Sequence, residues 1–140
     1  MSSQPAMSRE DFIAFVLDHR EKPRNRGAMP DADAAYTFGN PGCGDIVTMY
    51  LKVGADDTVQ EISFEGDGCT ISQAGASFIT TRLKGKPVRE IEAMEYDLIL
   101  TTFGKDVMAT RPRCAALGLN AAKAAAKVYT DAQRLAAARS

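Results

Sequence analysis

The chain is poor in the side chains that usually advertise an enzyme. It has one histidine, His19, and three cysteines. With a single imidazole, far in sequence from every thiol, a cysteine hydrolase would have only one choice of base. Charge of one sign is also missing. Seventeen basic side chains face eighteen acidic ones, for a net charge of −1, so no phosphate-tracking surface and no nucleic-acid partner are expected. Long hydrophobic runs are absent too. The longest, Phe12 to Leu17, is far too short to span a bilayer, so no membrane partner is expected. The first ten residues, "MSSQPAMSRE", lack the basic and apolar regions of a secretory signal, and the expected location is the cytoplasm. Three cysteines cannot all pair with one another, and no CxxC pair occurs. In a reducing compartment, metal binding or reactivity is then the better reading for the set.

What is present fits one domain of ordinary composition. The chain has 140 residues, 45% hydrophobic and 25% charged, enough for one sizeable core. Residues 1–8 read as a flexible tail and 9–138 as a single domain. Ser8 followed by Asp11 resembles an N-cap, and Phe12, Ile13, Phe15 and Val16 then predict a helix over 9–20. "EKPRNRGAMPDAD" breaks it. "AAYTFGN" predicts a short strand. "DIVTMYLKV" alternates, with Val47, Met49, Leu51 and Val53 on one face. After the turn "GADD", "TVQEISFEG" alternates again through Val59, Ile62 and Phe64.

The period then changes to that of helices. "TISQAGASFITTRLKG" carries Ile71, Ala74, Phe78 and Ile79 on one stripe. "PVREIEAMEYDLILTTFGK" predicts one or two short helices. The alanine-rich stretch from Pro112 to Ala138 predicts a long one, with a stripe of Leu117, Ala121, Ala124 and Val128 and with Gly118 allowing close packing. Strands first and helices after give an α+β domain: a three-stranded antiparallel sheet with helices packed on one face.

Each cysteine falls at a boundary between these elements. Cys43 stands in "NPGCGD", between Gly42 and Gly44, with Asp45 two residues on. In extended chain, i and i+2 face the same way, so thiol and carboxylate can share a site. Cys69 ends "EGDGC" just before a predicted helix, and Cys114 follows "TRPR" at the start of the last one. Helix N-termini stabilise a thiolate, the form that binds metal. Arg111 and Arg113 add positive charge near Cys114.

"NPGCGD", "GDGCTISQAGAS" and "RCAALGLNAAKAA", together with "DHREKPRN" near the N-terminus, resemble the ordered motifs of the IscU/NifU/SufU family of iron–sulfur cluster assembly scaffolds. The resemblance covers about residues 9 to 130. It implies an IscU-like fold and a scaffold, not an enzyme, on which a labile [2Fe–2S] cluster is built and passed to apo-proteins. Carried over residue by residue, the ligands are Cys43, Asp45, Cys69 and Cys114. Sulfur would arrive from a cysteine desulfurase as a persulfide, received at Cys114. The resting metal is left open between zinc, iron and a cluster, and a homodimer is left open as well.

Two departures from the IscU branch stand out. Its usual histidine before the last cysteine is Arg113 here, a SufU-like feature, and "VMATR" (Val107 to Arg111) does not match its LPPVK-type segment. Arg113 stands where it can offset the negative charge of a cluster with anionic ligands. His19 belongs to the N-terminal signature and is read as a surface or capping residue. Three thiolates and one carboxylate suit a site that must release its cargo, because a hard oxygen ligand leaves one corner more exchangeable. The same four groups suit tetrahedral zinc. The alternative function is therefore a zinc-dependent sulfurtransferase that accepts persulfide, as in the SufU branch. A third reading is a small domain with structural zinc.

Overall fold

The computed structural model of the chain describes residues 8–40 and 44–139, and at positions 40, 105, 106, 108, 109 and 139 the backbone alone. The expected tail falls almost wholly outside these residues. Ser8 is the N-cap of α1 (Arg9–Glu21), accepting a hydrogen bond from the Asp11 amide at 3.1 Å. Three strands follow: β1 (Ala34–Asn40), β2 (Asp45–Val53) and β3 (Val59–Asp67). They form an antiparallel sheet in the order β1-β2-β3. The helices come after: α2 (Thr70–Leu83), α3 (Val88–Ala93), α4 (Asp97–Thr110) and α5 (Pro112–Arg139). The α+β architecture is the one the change of period predicts. None of the described helices is long and apolar enough to cross a membrane.

Register explains which face is buried. Met49 pairs with Tyr36 on one side and Phe64 on the other, and Leu51 pairs with Ala34 and Ile62. Directly opposed residues share a face. Val47, Met49, Leu51 and Phe64 are completely buried there, each contributing about 1.5–3 kcal/mol of apolar transfer. The opposite face is closed by polar pairs, Thr37 with Thr48 at 2.7 Å and Tyr50 with Glu65 at 2.6 Å. Helices α2 and α5 cover the apolar face, α5 crossing β1 and β2 while α2 lies against β3.

The two helices touch almost backbone to backbone. A Cβ on Gly118 would sit 2.6 Å from the Ala76 Cα, and one on Gly75 would sit 2.7 Å from the Ala115 carbonyl oxygen. Gly118 thus does allow the close packing expected of it. The stripe on α5 is displaced from the expected one. Val128 is 41% exposed, whereas Ala122 and Ala126 are buried and Tyr129 packs against the core. The tyrosine hydroxyl also donates to Asp57 at 3.1 Å, which fixes the rotation of the helix about its axis and turns Val128 outward. α4 is two helical pieces joined at Gly104, whose φ of 85° and ψ of 165° break the helix.

Candidate metal and cluster site

Three sequence-remote residues meet at one end of the sheet. Asp45 is the first residue of β2 and is 3% exposed. Cys69 is the N-cap of α2, with extended backbone (φ −70°, ψ 163°). Cys114 is in the first turn of α5 and is 6% exposed. Ligand atoms of the three lie within 4.8 Å of one another. Tetrahedral coordination at about 2.3 Å from each sulfur needs donors about 3.8 Å apart, so a contraction of about 1 Å at most would enclose a metal.

The carboxylate organises the group. Asp45 Oδ1 accepts the Cys69 backbone N–H at 2.7 Å. Its Oδ2 accepts from the Cys114 thiol at 3.0 Å and faces the Cys69 thiol at 3.7 Å. The α2 end is held in turn by Ser72, whose amide donates to the Cys69 sulfur at 3.5 Å and whose hydroxyl donates to the Cys69 carbonyl at 2.9 Å. Gly68 permits this approach. Its φ is +144°, and a Cβ there would stand 2.1 Å from Asp45 Oδ1. Ser72 was not apparent from sequence. The signal was the serine three residues after the capping position, the usual spacing of a cap partner.

Electrostatics modify one expectation. The position of Cys114 at a helix start was expected to favour its thiolate. Instead its pKa is pushed well above the ordinary thiol value, by burial first and then by hydrogen bonding to Asp45 and Cys69. Burial, with the carboxylate and the second thiol, outweighs the half-charge of a helix end. Without a cation, the Cys114 thiol therefore holds its proton. A cation replaces that proton, and this donor set of soft sulfur and hard oxygen fits zinc, iron or an iron–sulfur cluster.

Cys43 lies outside the described residues. Its neighbour Gly44 has φ +73°, a conformation that favours glycine. Arg113 is exposed and forms no ion pair among the described residues. His19 is neither a surface nor a capping residue. It is 7% exposed, packs between Phe15 and Phe78, and its Nδ1 lies 2.7 Å from the Ser77 hydroxyl. The helical period of α1 turns it inward together with Phe15 and Val16.

Comparison with known proteins gives the family and the fold. Residues 12–136 match the family described as NifU-like N terminal domain. The chain is 39% identical over 89 residues to the iron–sulfur cluster assembly scaffold protein IscU 1 of Archaeoglobus fulgidus, a match covering 64% of this chain and 58% of that protein. It is 38% identical over 83 residues to the zinc-dependent sulfurtransferase SufU of Bacillus subtilis, covering 59% of this chain and 55% of the relative. Each match thus spans less than two thirds of the relative's length. Among solved structures, the N-terminal part of a nitrogen-fixing NifU-like protein from Brucella abortus superposes with a TM-score of 0.73 at 21% identity, over 89% of this chain and 99% of that one, a likeness of fold. With the family match running over most of the chain and the aspartate and two of its three cysteines gathered at one point, the chain belongs to the IscU/NifU/SufU family of iron–sulfur cluster assembly scaffolds.

Proposed function

We propose that this chain, as a single domain over 9–138, is a scaffold for a labile [2Fe–2S] cluster, which it receives in parts and hands to apo-proteins. The observation that carries the reading is the convergence of Asp45, Cys69 and Cys114 within 4.8 Å from three separate elements. Cys43, two residues before Asp45 in the chain, supplies the fourth ligand. Cluster and iron are cargo here, not resident cofactors. Thiolates hold them, and the single oxygen ligand makes one corner exchangeable.

Sulfur arrives from a cysteine desulfurase as a persulfide. Cys114 attacks the outer sulfur of the donor persulfide. The S–S bond of the donor breaks, its inner sulfur leaves as a thiolate, and a new S–S bond forms on Cys114, so no external oxidant is needed. Asp45 Oδ2, already 3.0 Å from the thiol, is placed to take the thiol proton. Cys69 is the more exposed of the two described thiols. A persulfide mass found on Cys69 alone would therefore overturn the choice of Cys114.

The second reading, a zinc-dependent sulfurtransferase, is favoured by the same donor set and by Arg113 where the IscU branch has histidine. One experiment separates the two. The chain is loaded anaerobically with iron, cysteine and a desulfurase, then mixed with an apo-acceptor. Visible sulfide-to-iron absorbance that passes to the acceptor supports the scaffold. Persulfide turnover that requires zinc, with no such absorbance, supports the sulfurtransferase. In a domain with purely structural zinc neither signal appears, and stripping the metal unfolds the chain.

A further inference from the structure

Two thiols share one carboxylate oxygen. Asp45 Oδ2 accepts from Cys114 at 3.0 Å and from Cys69 at 3.7 Å. Both cysteines are free, Cys114 buried and Cys69 half-buried. Their sulfurs stand within 4.8 Å of each other, although one comes from the cap of α2 and the other from the first turn of α5. Side-chain rotation has at most about 2.8 Å to close before a sulfur–sulfur bond of about 2.0 Å forms. The Ser72 amide points at the Cys69 sulfur, 3.5 Å away, a contact that favours thiolate over thiol. The half-buried sulfur is thus placed to act on the buried one.

A persulfide carries its outer sulfur two electrons short of the sulfide that a cluster contains. Those electrons must come from somewhere. Among the described residues, Cys69 is the reducing side chain beside Cys114. The atom it faces is the Cys114 Sγ, which becomes the inner sulfur of a persulfide formed there. Attack on an outer sulfur would only move the persulfide to another thiol. Attack on the inner sulfur releases sulfide.

We propose, resting on the reading of Cys114 as the sulfur acceptor, that Cys69 is the resolving thiol that turns a Cys114 persulfide into sulfide. The Cys69 sulfur attacks the Cys114 Sγ. The bond to the outer sulfur breaks, and that sulfur leaves with the electron pair. The Cys69 proton passes by way of Asp45 Oδ2 to the departing group, which leaves as H2S. A Cys69–Cys114 disulfide remains. The outer sulfur gains two electrons and the two cysteine sulfurs lose one each, so the step consumes no other reductant. A dithiol then reopens the disulfide by exchange and returns both ligands to the site.

The test uses the full chain, metal-free and without oxygen. A cysteine desulfurase is charged with one equivalent of cysteine, freed of small thiols and mixed with the chain. Released sulfide is measured, and the mass of the chain and its non-reduced peptides are read. The parent should release about one sulfide per chain, lose two hydrogens in mass and yield a peptide pair linked through Cys69 and Cys114. Cys69→Ser should keep the added sulfur on Cys114. At about 10 µM chain its sulfide release should be at least about a hundredfold slower, because a thiol within the site acts at millimolar effective concentration. Serine is a preferred N-cap, so α2 stays capped in the variant. Equal release by Cys69→Ser, a lasting persulfide on Cys114 of the parent, or a link from Cys114 to Cys43 instead overturns the proposal and leaves Cys114 as acceptor. No added sulfur on Cys114 even in Cys69→Ser overturns both.

Discussion

Replacing Gly68 by alanine should damage the cluster site and leave the rest of the domain folded. Two effects act together. At φ +144° a side chain is strained, at about 1–3 kcal/mol. The new Cβ would also meet Asp45 Oδ1 at 2.1 Å and its Cγ at 2.8 Å. The carboxylate must then leave its place, giving up the 2.7 Å bond from the Cys69 amide, a hydrogen bond to a charged group worth about 1.5–3 kcal/mol. The metal-free variant should lose about 3–5 kcal/mol, allowing for partial relaxation. Gly85→Ala separates the two effects. Its φ is +89° with nothing within 4 Å of the new Cβ, so it carries strain alone and should lose about 1–3 kcal/mol. Urea unfolding gives both stabilities, and a cobalt(II) titration read in the visible d–d bands gives metal affinity. Affinity should fall at least about tenfold in Gly68→Ala, as one carboxylate ligand is displaced, and remain unchanged in Gly85→Ala. Equal affinity in the two variants would refute the role assigned to Gly68.

Three further outcomes follow from the same geometry. Asp45→Ala should lengthen cluster lifetime and slow cluster donation, measured by the decay of visible absorbance and by transfer to an apo-acceptor; a variant that donates faster contradicts the exchangeable-corner argument. Gly118→Ala should cost about 1–3 kcal/mol by forcing α2 and α5 apart, because its Cβ would meet Ala76 at 2.6 Å, and a thermal unfolding midpoint equal to that of the parent would show that the helices yield freely. The His19 pKa is lowered by burial first, so the unfolded chain binds the proton more readily. Stability should therefore be full above about pH 6.5, the unperturbed value, and fall as pH drops through the lower folded pKa. Urea midpoints at pH 7.5 and pH 5.5 should differ more in the parent than in His19→Asn, and equal differences would assign the pH effect to other groups.

Much of the architecture was legible because two periods are clearly written. The alternation of Val47, Met49 and Leu51 defines a half-buried strand, and the change to helical spacing after Cys69 marks the layer that covers it. The approach of Cys69 and Cys114 to Asp45 was legible only through resemblance, since it depends on the angle between α2 and α5. That angle is set by contacts at Gly75 and Gly118; the sequence suggests close packing at Gly118 but not the helix that it meets. Val128 was misplaced because alanine positions carry almost no orientational signal, and a tyrosine hydroxyl decided the rotation. His19 was misread because its partner, Ser77, lies on another helix. The raised Cys114 pKa was missed for a related reason: sequence shows the helix end and the arginines nearby, but not the burial of the thiol or a carboxylate arriving from β2.

The hydrogen bond from the Ser72 amide to the Cys69 sulfur ties cargo to chain order. A thiolate accepts such a bond more strongly than a neutral thiol does. Whatever converts Cys69 to its metal-bound form therefore also winds the opening turn of α2 more tightly, and departure of the cargo slackens it. Exchange of that one amide with deuterium would then act as a gauge of occupancy, slow while the scaffold carries its load and faster once the load has gone.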